Sequence, residues 1–123
     1  MKETLWVGLG GFLGAIARYW LSRAALLYLG PAFPYGTLII NLSGSFLLGF
    51  LMGLLEVHAL GPVLRLAVAI GFIGAYTTFS TWTFESLALL RAGELELGLL
   101  NLFGSLVLGM AFVLGGFLLG RAV

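Results

Sequence analysis

The sequence predicts an all-α membrane protein with four transmembrane helices, the third of them broken. Of its 123 residues, 61% are hydrophobic and only 9% are charged, and the mean hydropathy is +1.13. A soluble domain usually has about a quarter of its residues charged, so lipid is the expected solvent of this chain. Four apolar windows, each of roughly the 20 residues that cross a bilayer, follow one another along the chain, and small and hydroxyl residues interrupt the third.

The four windows are joined by short turns and together predict a single domain. They cover approximately residues 4–29, 35–57, 62–90 and 95–121. The turn between the first two contains Gly30, Pro31 and Pro34, and these residue types end one helix and begin the next. A second span follows the first window at once, so we do not expect that window to be a cleavable signal segment.

The run from Gly71 to Glu85, at the centre of the third window, is the most unusual part of the sequence. It contains Gly74, and five Ser or Thr residues lie between Thr77 and Thr83, interleaved with aromatic rings. Lipid offers backbone groups no hydrogen-bond partner, so small and polar residues at this depth need protein or a wet cavity around them. We therefore expect a helix break between about Gly74 and Thr78 that lines an ion pathway.

The charged residues exclude some functions and bear on orientation. A net charge of +1 provides no basic patch for nucleic acid, and the absence of cysteine excludes disulfides, zinc and iron–sulfur sites. Lys and Arg normally mark the cytoplasmic face. Here the predicted faces are nearly balanced, since one carries three of these residues and the other two or three; they are Lys2, Arg65 and Arg121 against Arg23, Arg91 and the more buried Arg18. Insertion in both orientations would produce this balance, and so would a chance distribution of few charges.

Small residues at four-residue spacing occur in every window, for example Gly10 and Gly14 in the first. Such residues let helix backbones approach closely in lipid. Four short helices enclose little interior, so we expect a pathway at a subunit interface and hence an oligomer.

A polar stripe runs along the second window, where Thr37, Asn41 and Ser45 recur every four residues on one helix face. Asn101 and Ser105 repeat the pattern in the fourth window. Hydrogen bonds between helices, worth about 0.6 kcal/mol each on average, are enough to explain why Ser and Thr occur in these stripes. Asn41 is costlier to bury, and its amide can donate two hydrogen bonds to an anion.

Aromatic and charged side chains in the windows leave alternatives open. Phe79 and Trp82 share a helix face, either as packing or as rings whose positive edges attract a small anion, and Trp82 also has an indole N–H donor. Arg18 either reaches the membrane interface beside Tyr19 or lies at a pore mouth and concentrates anions. Glu85 could pair with an arginine, face a vestibule or carry a proton.

Three segments in this order resemble the Fluc (CrcB-type) fluoride channel family over nearly the whole chain. They are residues 10–19 (GGFLGAIARY), 37–46 (TLIINLSGSF) and 71–81 (GFIGAYTTFST). The resemblance implies a passive fluoride channel of the cell membrane that reduces fluoride toxicity, and not an enzyme. It also implies an antiparallel dual-topology homodimer with two pores and a central structural sodium ion. The implied partners are a second copy of the chain, fluoride and the lipid bilayer.

Transferred to this sequence, the resemblance places Asn41 and Phe79 at pore positions, and Trp82 where a second phenylalanine is usual. Gly74 and Thr77 match the positions whose backbone carbonyls hold sodium. In the family the fourth helix carries a row of polar residues along the pore. Asn101 stands where that helix often has a tyrosine, so the row looks shorter in this sequence. The predicted fluoride path comprises nine residues: Asn41, Phe79, Trp82, Ser105, Thr37, Ser45, Ser80, Thr81 and Arg18.

The alternative function is that of a proton-coupled small multidrug-type exporter, which also has four short helices and dual topology. That class needs a carboxylate near the middle of the first helix, but the sequence has none between Glu3 and Glu56. A non-transporting membrane subunit would leave Asn41 and the hydroxyl-rich run unexplained.

Overall fold

The computed structural model describes all 123 residues, and every regular element in it is a helix. This confirms the all-α prediction. We number five helices in chain order: α1 (Lys2–Leu29), α2 (Tyr35–Val57), α3 (62–76), α4 (Phe79–Arg91) and α5 (Leu95–Ala122).

Three stretches are long and apolar enough to cross a membrane. They are Tyr35–Val57, Pro62–Arg91, which contains α3 and α4, and Leu95–Ala122. The first helix is 28 residues long, but it carries four charged side chains and is not one of the three. The membrane crossing of α1 therefore stays a prediction.

The helix ends follow from local sequence. Gly30 after α1 has a φ of 80° and Gly93 after α4 has a φ of 85°, and glycine adopts this left-handed region without steric cost. Pro62 is the first residue of α3. An N–H at this position has no partner within the helix, so proline, which lacks one, costs the helix no hydrogen bond. Thr78 caps α4, because its side-chain oxygen accepts a hydrogen bond from the Thr81 N–H at 3.3 Å.

Glycines on both helices allow α2 and α5 to pack most extensively of all the helix pairs. A methyl group at Gly49 would overlap the carbonyl oxygen of Val113, and one at Gly116 would overlap the backbone of α2. Gly53 and Gly120 make equivalent contacts one turn further along. Lipid tails are as apolar as the side chains, so this close van der Waals contact, rather than burial from water, holds the pair together.

The first helix packs against α3 in the same way. Gly10 lies against the Ala67 carbonyl and Gly14 against the Phe72 carbonyl, so that neither position has space for a methyl group. Close backbone contact therefore holds α1 beside α3.

Two stretches have π-helical hydrogen bonding, Arg65–Ile73 in α3 and Leu100–Gly104 in α5. Such wider turns shift the backbone register and are frequent at functional sites. The second stretch contains Asn101, whose side chain is fully buried.

Most large apolar side chains are exposed on the surface of the single chain. Only 18 of its 123 residues are buried, and large side chains such as Trp20, Phe79 and Phe103 are more than half exposed. Contiguous apolar surface of this extent marks contact with membrane or protein. Lipid and further protein are accordingly the expected surroundings.

Candidate functional site

The third span is interrupted between α3 and α4, inside the interval that the sequence predicts. Thr77 has φ −75° and ψ 158°, and Thr78 has φ −148° and ψ 115°, so both backbones are extended. The Thr77 N–H still donates to the Ile73 carbonyl at 3.0 Å, and the helical ladder of α3 ends there. The predicted break is thus present in the fold.

Asn41 of α2 pairs with both backbone groups of Thr78. Its Nδ2 donates to the Thr78 carbonyl at 3.0 Å, and its Oδ1 accepts from the Thr78 N–H at 2.8 Å. In an uninterrupted helix that N–H would donate to the Gly74 carbonyl. Buried backbone groups are nearly always paired, so Asn41 stabilises the break. One of its two amide hydrogens is used in this way, and the other stays free for a ligand.

An open groove of about 380 Å³ runs along the break between α2, α4 and α5. Its walls bring together five of the nine residues predicted for the path: Asn41, Ser45, Phe79, Trp82 and Ser105. No carboxylate lines the groove. The mostly apolar lining includes the second amide hydrogen of Asn41, the Ser45 hydroxyl and two aromatic rings, and donors and ring edges without a carboxylate favour an anion over a cation.

Phe79 and Trp82 meet edge to face in this groove, with ring centroids 5.3 Å apart and planes at 62°. The indole N–H of Trp82 donates to the Asn101 carbonyl at 2.8 Å. It is therefore directed into the protein, which differs from the expectation that it would face an anion. Trp82 therefore lines the groove with its ring while its N–H is bound to Asn101.

A second cavity, of about 520 Å³, is bordered by α1, α2, α4 and the turn after α1. Thr37 and Thr81 line this cavity and not the groove. Thr37 lies one helical turn before Asn41, and Thr81 follows Thr78 by three residues, so the Asn41–Thr78 pair lies between the two cavities. Glu85 also lines this cavity, and its Oε2 is buried without a hydrogen-bond partner.

Two other residues predicted for the path lie outside both cavities. Arg18 is half-buried, and its guanidinium donates to the Thr77 carbonyl at 3.4 Å. It therefore lies against the break, a position that neither sequence interpretation anticipated. Ser80 is exposed, and its carbonyl accepts a hydrogen bond from the Thr83 hydroxyl at 3.0 Å.

The break presents backbone oxygens of the kind that hold sodium at interrupted membrane helices. The Gly74 carbonyl has lost its usual helical donor, because the Thr78 N–H is paired with Asn41. The Thr77 carbonyl accepts the long bond from Arg18 and has a second lone pair, although the guanidinium charge opposes a cation nearby. These two oxygens fit a sodium ion in chemistry, and further ligands would be needed to complete its coordination.

These features define a class of protein: a helical membrane protein with a polar path at a broken span, as in channels and transporters. The model of the CrcB-like protein family (Camphor Resistance, CrcB) matches residues 5–117 of the chain. The chain belongs to this family, which confirms the resemblance carried by the three sequence segments.

Three relatives at 44–46% identity extend over almost the whole chain. The protein of Koribacter versatilis is 46% identical and aligns with 100% of this chain and 98% of its own length. Those of Magnetococcus marinus and Thermus thermophilus are each 44% identical; the first covers 98% of this chain and 99% of its own length, the second 100% and 98%. All three are named "Fluoride-specific ion channel FluC". The family is thus one of ion channels and not of enzymes.

Proposed function

We propose that this protein is a fluoride-selective channel through which fluoride leaves the cell passively. The observation that carries the proposal is the groove at the broken span, where donor groups and ring edges converge and carboxylates are absent. The relatives named as fluoride-specific channels support it. Fluoride enters cells as the neutral acid, dissociates at cytoplasmic pH and is trapped, so a passive anion path in the plasma membrane is sufficient to remove it.

Fluoride is strongly hydrated, and a pore must replace its water with groups of similar strength. The free amide hydrogen of Asn41 and the Ser45 hydroxyl are hydrogen-bond donors that line the groove. The Ser105 hydroxyl, which also lines it, donates to Asn101 Oδ1 at 3.4 Å and would have to turn from that long bond to reach an ion. Phe79 and Trp82 add ring edges, which carry partial positive charge. A large, weakly hydrated anion gains less from such close donors, and this is the physical basis proposed for selectivity.

The second cavity continues the path beyond the Asn41–Thr78 pair. Thr37 and Thr81 provide hydroxyls there, and Glu85 lines the same cavity. An ionised Glu85 would repel an anion, whereas the positive charge of Arg18 beside the break raises the local anion concentration. Ser80 is exposed in the single chain and joins the path only where a second copy closes over it.

The functional unit that we propose is an antiparallel, dual-topology homodimer of four-span subunits. The groove is open on one side, and Phe79 is 73% exposed, so a second copy is needed as the missing wall. The balanced Lys and Arg residues suit insertion in both orientations. The fourth span is α1, because Gly10 and Gly14 fix it against α3.

A structural sodium ion at the dimer interface is part of the same proposal. The carbonyls of Gly74 and Thr77 from both copies would hold it, and Gly74 is exposed in the single chain. When bound, the ion would offset the partial negative charge of these carbonyl oxygens.

Efflux from liposomes tests the function. Purified protein should release fluoride but neither chloride nor a lipophilic cation, and Phe79→Ile should lose fluoride efflux while remaining a dimer by size. The matched control is Phe103→Ile, which changes an exposed phenylalanine of α5 that lines neither cavity and should conduct like wild type. Release of the lipophilic cation under a pH gradient would instead support the multidrug-type exporter, and full conduction by Phe79→Ile would place the path elsewhere.

A further inference from the structure

A buried hydrogen-bond network behind the groove joins α4 to α5. Asn101 is fully buried, and Ser86 is 1% exposed. Asn101 Nδ2 donates to Ser86 Oγ at 2.8 Å, and Ser86 Oγ donates to the Trp82 carbonyl at 2.8 Å. The Trp82 indole N–H donates back to the Asn101 carbonyl at 2.8 Å. The three residues form a closed ring, of which only Trp82 reaches the groove.

The Asn101 carbonyl lies in the π-helical stretch of α5, where backbone hydrogen bonding departs from the α-helical pattern. In an α-helix the carbonyl would accept the Ser105 N–H, but that N–H donates to the Leu102 carbonyl instead. The backbone of α5 thus turns an acceptor toward α4 at the position of the indole. Without that acceptor the indole N–H would be held among packed side chains with no partner, which is costly.

The ring of hydrogen bonds fixes both ends of Trp82. Asn101 holds the indole nitrogen and, through Ser86, also restrains the Trp82 carbonyl. The indole consequently meets Phe79 edge to face at 5.3 Å between centroids. Because an aromatic ring has a partially positive edge and a partially negative face, a rotation of Trp82 would change the partial charge that the groove presents to an ion. The Ser105 hydroxyl, a groove residue, also donates to Asn101 Oδ1 at 3.4 Å.

We propose that Asn101 is a positioning residue for anion conduction, which acts through Trp82 and more weakly through Ser105 without touching the ion. Its effect on conduction rests on the proposed channel function, whereas the geometry that it imposes on Trp82 can be measured independently. Phenylalanine in place of Trp82 would remove the indole donor, so the effects of Asn101 and Trp82 on conduction should be coupled.

Deuterium exchange of the indole N–H tests the positioning directly. In protein labelled with ¹⁵N-tryptophan in micelles, the Trp82 signal, assigned by its loss in Trp82→Phe, should exchange slowly. Trp6 and Trp20, which are 41% and 61% exposed, provide internal references. Asn101→Leu should accelerate the Trp82 exchange by about tenfold or more, since exchange requires the hydrogen bond to open.

Two further variants keep this test decisive. Ser86→Ala should accelerate the same signal, and it replaces Asn101→Leu if that variant does not fold. Thr83→Val removes a hydroxyl that bonds only within α4 and should leave the signal unchanged. Unchanged exchange in both Asn101→Leu and Ser86→Ala would overturn the proposal.

Fluoride efflux then tests the functional coupling. Asn101→Leu should slow efflux by about three- to tenfold, the factor that corresponds to one intramembrane hydrogen bond. In a Trp82→Phe background the same change should have little further effect, because coupled residues are not additive. Equal slowing in both backgrounds would overturn the proposal. If wild type does not release fluoride selectively but the exchange results hold, the channel function fails and the positioning of Trp82 stands.

Discussion

Substitution of Asn41 separates two roles of one side chain, the stabilisation of the helix break and the lining of the groove. Asn41→Leu removes both hydrogen bonds to Thr78, whereas Asn41→Asp keeps an oxygen for the Thr78 N–H. Thr78 is only 7% exposed, so its backbone groups cannot turn to water when the partner is lost. The two variants should therefore differ in stability but not in conduction.

The expected cost follows from these contacts. Loss of the bond to the Thr78 carbonyl should cost about 0.6 kcal/mol, the average for an interhelical hydrogen bond in a membrane. Leaving the Thr78 N–H buried without a partner should cost roughly 1–3 kcal/mol more. We expect Asn41→Leu to lower the free energy of unfolding by about 2–3 kcal/mol, and Asn41→Asp by about 1 kcal/mol or less.

Reversible unfolding in mixed detergent micelles measures the stability, and liposome efflux measures conduction. Neither variant should release fluoride, because the first lacks the amide donor and the second adds an acidic group to an anion path. Thr83→Val serves as the control and should match wild type in both assays. An Asn41→Leu protein as stable as wild type would refute the stabilising role, and an Asn41→Asp protein that conducts normally would remove Asn41 from the path.

Three further predictions concern packing, topology and the cation. Gly116→Ala should lower the free energy of unfolding by about 1–3 kcal/mol, because the added methyl overlaps the Phe46 carbonyl. Its control, Gly115→Ala, has open space around the added methyl and should be neutral. Equal thermal stability of the two variants would contradict the packing described. A cysteine in place of Ala122 should react with an impermeant reagent from both membrane faces in similar amounts; labelling from one face only would exclude dual topology. Replacement of sodium by a bulky organic cation should lower the thermal stability of the dimer, and no change would argue against a structural sodium.

Those features of the site that depend on local sequence could be predicted. The break was expected because glycine and consecutive threonines interrupt an apolar window, and the structure has extended residues at Thr77 and Thr78. The grouping of Asn41 with Phe79 was likewise predicted, on the family motif, and both line one groove. Hydropathy and the order of motifs are enough to predict such features, because both can be read from the sequence without knowing how the helices contact one another.

Other features of the site depend on how the helices meet, and no local pattern encodes them. Thr37 and Ser45 share a stripe with Asn41, yet the pairing of Asn41 with Thr78 leaves them on different cavities. The direction of the Trp82 N–H follows its hydrogen bond to the Asn101 carbonyl of α5, a contact between two helices. From the sequence, Asn101 is expected only to form hydrogen bonds between helices. Its contacts in the structure are what connect it to the groove.

The potential at which current reverses across a bilayer that contains the purified protein tests the central claim most directly. With a tenfold fluoride gradient and equal chloride and proton concentrations on both sides, a fluoride-selective passive channel should reverse at the fluoride equilibrium potential, about 59 mV from zero at 25 °C. Reversal near zero, or a reversal potential that follows an imposed pH gradient, would contradict the account.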